Sequence, residues 1–347
     1  MKSKHGHITG SLHGLAYHIQ LSDQYDATED MRRYLRRRFQ DIGLKIGQPN
    51  WFTKGNIERL VQAGSGQFVY VATVFKYMSE RRGSPAHRLK TVLNWTADQG
   101  QVTKPFEALN MLYTSILLNA KEAYEAFDTH SGHNLLLLLK AFHMRARGDL
   151  LICHPYHIHV LLNLENDALE ILTLDLHSLV CLKEEELGIM ELTMYHKSFF
   201  KFMDKESPTK DLFVSDPCAF MHLAKCCIQR IIESPELHSY ELEDMSVSEQ
   251  RLITAITELD YLASAIGIDN EIVDFTHKGG WQKIDMVLSK PLGFGHIFKD
   301  HWDDAFDWIN FLGHSADDLK KGRPEAAAIM SKYLKKWKHF FNESDSD

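Results

Sequence analysis

The sequence predicts a mainly α-helical protein with one short β-hairpin set inside it. Three observations predict this. Apolar residues recur at spacings of three and four along most of the chain, the period of helices with one buried face. A two-residue alternation is confined to the stretch around Met190, Leu192 and Met194. That alternation then runs straight into the helical spacing of Phe199, Phe200, Phe202 and Met203, so a strand meets a helix at His196. The expected order is a helical domain, a helix-turn-helix with a β-hairpin (the order of a winged helix) and an α-helical extension.

Residues 1–25 are rich in Gly and His and offer only short β-like pieces such as Leu15 to Leu21. The first helix should start near Thr28 as cap, with Glu29 and Asp30 in its first turn. Its apolar stripe is Met31, Tyr34, Leu35, Phe39 and Ile42, and Gly43 is placed to end it. The second stripe is Ile57, Leu60 and Val61, interrupted at Gly64-Ser65-Gly66. Phe68 to Met78 is apolar on nearly all sides. Its β-branched residues suggest a strand, but its length and the Tyr77-Met78 ending favour a buried helix. Arg81 to Pro85 reads as a turn. Two further helices carry Leu89, Val92, Leu93 and Trp95, then Leu109, Leu112, Tyr113, Ile116 and Leu117, with Asp98–Pro105 as linker. Asn134 to Arg145 is another helix. His157 to Leu164 and a segment from Asn166 are short helices, the second with Leu169, Leu172, Leu174 and Leu176 on its core side. Leu179 to Leu182 and Ile189 to Tyr195 are the strands, joined by a turn at Glu184–Gly188. Helices then follow over Pro217–Ile232, Ser248–Ile266, Trp302–Leu312 and Ala326–Phe341, with polar connectors between them.

The 347 residues bury a core large enough to need no disulfide staples. The five cysteines, Cys153, Cys181, Cys218, Cys226 and Cys227, are odd in number and scattered, which points to reduced thiols in a cytosolic or nuclear protein, with the cytoplasm the expected location. No apolar run approaches the ~20 residues of a membrane span, and the N-terminus lacks the apolar stretch of a signal peptide. The net charge of −8 disfavours nucleic acid and anionic membranes as partners. The segment expected to read a DNA groove is worse still. No Lys or Arg lies between Arg147 and Lys183, while Asp149, Glu165, Asp167, Glu170 and Asp175 do. The arginines between Arg32 and Arg38 read as a solvated helix face rather than an anion patch.

Motifs for chemistry are sparse. Cys153, His154, His157 and His159 suggest a metal, but no second pair of matching spacing accompanies them, so they read as ordinary side chains. Cys226 and Cys227 sit in an apolar helix and read as buried, inert thiols. There is no G-x-x-x-x-G-K-[ST] loop, no Gly-x-Ser-x-Gly and no His-Glu-x-x-His. No catalytic residue and no metal ligand is therefore named.

Several stretches together resemble the fungal NACHT-type (STAND) signal-transduction ATPases related to NLR receptors. Gly66 to Met78 resembles their helical-domain signature, a Gly followed by Phe-x-Tyr-Ala-Ala-Thr-Val. Leu176 to Val180 resembles the start of their winged-helix wing. Tyr195 to Met203 resembles their His-Lys-Ser-Phe-x-Asp-Phe-Leu motif, and His222 to Cys227 the helix that follows it. Asp26–Asp41 is similar to the helix just after their nucleotide-binding core, so the likeness runs over roughly residues 15–235. It implies a remnant of the nucleotide domain over 1–48, a helical domain over 49–148, a winged helix over 149–205, a helical extension over 206–341 and an acidic tail over 342–347.

In that family the winged-helix histidine contacts the β-phosphate of bound ADP; the matching residue is His196. Phe68 stands where related receptors often carry a proline beside the adenine. The family's P-loop, Mg²⁺-binding acids and first sensor precede the helical domain, and only about 50 residues precede it here. The resemblance therefore implies a non-catalytic regulatory or protein-interaction module with a protein partner and no cofactor. The alternative is part of an active ATP-hydrolysing switch whose P-loop domain lies upstream, with ATP or ADP and Mg²⁺ bound there. A winged-helix nucleic-acid binder comes last, on charge.

Overall fold

Met31, Leu35, Phe39 and Ile42 repeat at helical spacing, and all four are buried on one side of the first helix, α1 (Thr28–Lys45). The computed structural model describes residues 26–80, 83–95, 106–126, 134–150, 155–162, 164, 166–184, 190–206, 210–234, 246–262, 270–288 and 302–344. Those residues are mainly helical, with a single two-stranded sheet among them. The β-like reading near Leu15, the Asp98–Pro105 linker, Cys153 and most of the hairpin turn lie outside them.

Two details of α1 differ from expectation. The N-cap is Ala27 rather than Thr28, and the Asp26 carboxylate accepts the Thr28 N–H at 2.9 Å. Gly43 does not end the helix. It lies inside it because Trp51 packs there, and a Cβ would sit 3.1 Å from the indole Cδ1.

α2 (Lys54–Gly64) begins with a reciprocal cap: Thr53 Oγ1 accepts the Asn56 N–H at 3.2 Å, and Asn56 accepts the Thr53 N–H at 2.8 Å. α3 (Phe68–Met78) is a helix despite its β-branched content. It packs on α1, α2, α4 (Pro85–Trp95) and α5 (Glu107–Glu125), so burial on several sides overrides local propensity. Tyr70, Val71, Val74 and Met78 are at most 2% exposed, each burial worth ~1.5–3 kcal/mol before entropy is counted.

α6 (Leu135–Arg147) starts at Asn134, whose side chain accepts the Leu136 and Leu137 N–H groups. α7 (Pro155–Leu162) and α8 (Asn166–Thr173) are the two short helices. α8 ends before Leu174, and Leu176 reaches the core from a turn rather than from the helix. β1 (Val180–Glu184) pairs antiparallel with β2 (Met190–Met194), Val180 opposite Met194 and Leu182 opposite Leu192. α9 (Lys197–Met203) follows at once. α8 packs on both strands, and α9 packs on β2 and α5, which joins this unit to the first helices.

α10 (Asp216–Glu233) packs on α6, α7 and α11 (Val247–Leu262). Two helices then lie in what the sequence reads as connector: α12 (Asn270–His277) and α13 (Gly280–Leu288). α14 (Trp302–Leu319) is longer than expected, and α15 runs Pro324–Ser344, into the segment read as acidic tail. Trp281 centres this region, edge-on to Phe275 at 5.0 Å and 6.4 Å from Trp337. Its indole N–H donates to Thr276 Oγ1 at 2.8 Å. One contiguous buried cluster runs from α1 to α15.

Candidate functional site at the seam between α5 and α9

The hairpin ends where the Tyr195 N–H donates to the Leu179 carbonyl at 3.0 Å. His196 is still extended, with φ −145° and ψ 138°, and the chain becomes helical at Lys197. His196 is the N-cap of α9. Its Nδ1 accepts the Ser198 N–H at 3.0 Å, so the neutral imidazole carries its hydrogen on Nε2. Ser198 Oγ lies 2.7 Å from that Nδ1 and 2.7 Å from the Tyr113 hydroxyl. Tyr113 is 1% exposed and burial raises its hydroxyl pKa, so it stays protonated and can donate to Ser198. Tyr113, Ser198 and His196 thus form a hydrogen-bonded chain from α5 to the start of α9. A serine beside an imidazole is also how a nucleophile is activated. Here the nitrogen that would take the proton already accepts a backbone amide, which is the geometry of a cap.

His196 is exposed and opens onto a cleft of about 1200 Å³. Val69, Trp95, Leu109 and Phe202 supply its apolar lining, and Phe106, the N-cap of α5, and Met111, on that helix, have 48% and 42% of their surface exposed. Lys197, Lys201 and Lys205 come from α9 and the turn after it. This lysine row was not singled out from sequence, although its spacing of four was readable there. The Tyr113 partnership was not readable, since 85 residues separate it from Ser198.

Phe68 is half-exposed and lies edge-on to Tyr34 at 5.0 Å. Its neighbours Gln67 and Val69, rather than Phe68 itself, share the cleft with His196.

Two ionic clusters hold the surrounding elements. Glu80, after α3, is buried and pairs with Arg88; its carboxylate also accepts the Ser178 N–H at 3.1 Å, just before β1. Burial raises the Glu80 pKa, opposed by Arg88. Nearby, the Lys76 ammonium sits over the Tyr195 ring. The second cluster gathers α6, the end of α9 and the start of α10. Lys140, 1% exposed, lies 3.1 Å from Asp204 and 2.7 Å from Asp216. His143 Nε2 is 2.7 Å from Asp204, and Arg147 reaches both carboxylates. Burial lowers the His143 pKa and so favours the neutral ring. Burial opposes ionisation of Asp204 and Asp216, yet hydrogen bonds from His143, Lys140 and Arg147 outweigh it and hold both below the usual carboxylate value.

The other singled-out residues lie elsewhere. Arg32 pairs with Glu58 at 2.7 Å, and Arg38 covers the rings of Tyr34 and Phe75. His159 is buried edge-on to Phe142, and burial brings its pKa down to about 4. Cys227 is fully buried and Cys226 partly so; burial pushes the first thiol well up and the second to about 11. On α11 beside Cys227, Glu258 is 2% exposed with Oε2 unpartnered, and burial lifts its pKa to about 8. Among the described residues no group of three or more His, Cys, Asp or Glu side chains is placed to hold a metal ion. No described helix is long and apolar enough to cross a membrane. No family model, curated protein or solved structure matches the chain.

Proposed function

We propose that the chain is a non-catalytic regulatory module that acts by engaging a partner protein, built like the helical and winged-helix portion of a NACHT-type signalling protein. The observation that carries this reading is the open cleft at the α5–α9 seam, part apolar and part cationic, lined from α3, α4, α5 and α9. The succession of α7, α8, hairpin and α9 follows winged-helix order. The helix in the groove-reading position, α8, presents Glu170 and precedes Asp175, with no lysine or arginine from residue 148 to 182. That charge repels a phosphate backbone and places the nucleic-acid reading last.

His196 and the lysines favour a second reading, a nucleotide switch completed by a nucleotide-binding domain on another chain or upstream. Calorimetric titration of ADP and ATP with Mg²⁺ into the purified chain separates the two. The partner-binding reading expects heats of dilution only. Saturable micromolar binding that disappears in His196→Ala would replace it with the nucleotide reading.

A further inference from the structure

We infer that the α5–α9 cleft is a docking groove for an amphipathic helical segment of a partner protein, apolar on one face and acidic along the adjoining edge. This rests on the partner-binding reading and names the chemistry of what the cleft takes.

Shape is the first argument. Small-molecule sites occupy ~300–1,000 Å³ and enclose their ligand. This cleft is open and holds about 1200 Å³. A helix about 10 Å across and roughly three turns long fills that volume. The walls suit it: one is the start of α5, with Phe106, Asn110, Met111 and Thr114, and the other is α9. A helix laid between two helices buries its apolar stripe on the rings and the methionine.

Charge is the second. Among the described residues no ion pair engages Lys197, Lys201 or Lys205. Lysines elsewhere find carboxylates: Lys121 with Glu125, Lys225 with Glu271, Lys336 with Asp285. On a chain of net charge −8, three lysines spaced by four along one wall form a local exception. Glu107 and Glu206 also line the cleft, which leaves the lysines in excess. A row of ammonium groups beside an apolar lining matches a helix whose acids flank its apolar stripe.

The chain's own residues 96–105 are a poor occupant. Their sequence, TADQGQVTKP, has one acid and no apolar stripe.

The test is a peptide-display selection on the full chain, using random peptides about three helical turns long, with counter-selection on the Lys197→Glu, Lys201→Glu, Lys205→Glu triple variant. The variant is first checked for wild-type circular dichroism and melting. Enriched peptides are expected to carry large apolar residues at helical spacing with Asp or Glu on one flank. A synthetic copy should bind the triple variant about tenfold more weakly or worse, a loss of ~1.4 kcal/mol or more. Met111→Glu should weaken it independently. Replacing the peptide's acids by lysine should restore binding to the triple variant and lose it on the wild type. Enriched peptides without acids, indifference to the lysine reversal, or hydrogen-exchange protection away from α5 and α9 would remove the groove assignment and leave the partner-binding reading standing. No enriched peptide at all would remove both. A concentration-dependent mass in ultracentrifugation that the triple variant abolishes would make the occupant a second copy, overturning the acidic helix.

Discussion

At the residue scale, His196 does the opposite of what its position first suggests. A helix start presents N–H groups that attract anions, but its ring accepts one of those N–H groups rather than donating to a ligand. His196→Ala should cost about 1 kcal/mol, the value of a lost cap, and His196→Asn should restore most of it because asparagine caps well. Urea unfolding of the two variants measures the difference. Glu258 offers a second single-residue outcome. Burial lifts its folded pKa to about 8 from the ordinary carboxylate value of 4.5. The folded state therefore holds a proton that the unfolded state releases, and stability falls as pH rises between those values. Glu258→Gln should stabilise the protein by an amount that grows by ~1.4 kcal/mol per pH unit in that window. Melting scans at stepped pH would show it. Neither feature is fully legible in the sequence. The strand-to-helix junction at His196 is, because two periods meet there. Its Tyr113–Ser198 connection, and the burial of Glu258 beside Cys227, depend on residues brought together from distant positions.

At the element scale, α12 and α13 were missed for a plain reason. Each is less than three turns long, and Ile272-Val273-Phe275 and Trp281-Ile284-Val287 are stripes too short for periodicity to register. Their junction is tight: a Cβ on Gly280 would fall 2.2 Å from the Phe275 ring, which is itself 1% exposed and cannot swing away. Gly280→Ala should destabilise by ~1–3 kcal/mol through overpacking, read as a shifted denaturation midpoint. By contrast, α3 was legible as a helix because its length outweighed its β-branched residues. The clasp of α6 on α9 and α10 carries another prediction. Lys140→Met leaves Asp204 and Asp216 short of their buried cation. The expected loss is about 2 kcal/mol, below the ~3–5 of a fully buried pair, because both carboxylates are over a third exposed at the side chain. Asp216→Asn should cost less, since Lys140 keeps Asp204.

At the scale of the whole molecule, pH acts through groups of opposite sign. His143 is neutral when buried, so the unfolded chain takes up its proton first and stability falls as pH drops below about 6.5. Asp204 and Asp216, held below the usual carboxylate value, lose their contribution as pH falls through that depressed range. Above about 6.5 the Glu258 effect works the other way up to about 8. The wild type should therefore lose stability over that upper interval, and Glu258→Gln should be nearly flat there, by chemical denaturation at fixed temperature. The fold class was legible because helical and strand periods are local properties. Which helices touch is not local, and the seam that forms the cleft was therefore outside the reach of pattern.

That seam has a kinetic consequence. The bonds at it and beside it join residues far apart in the chain: Tyr113 to Ser198 across 85 positions at the seam, and Ser178 to Glu80 across 98 between the start of β1 and the end of α3. Bonds within α1–α5 span shorter loops, 26 positions from Arg32 to Glu58 and 42 from Tyr77 to Asn119. Closing long loops is slow until local structure has formed, so the seam should zip up after the rate-limiting step of folding and be the first part to part. Tyr113→Phe and Ser178→Pro should then speed unfolding while leaving the refolding arm of the chevron almost unmoved. A matching change in the refolding rate would place the seam in the folding nucleus instead.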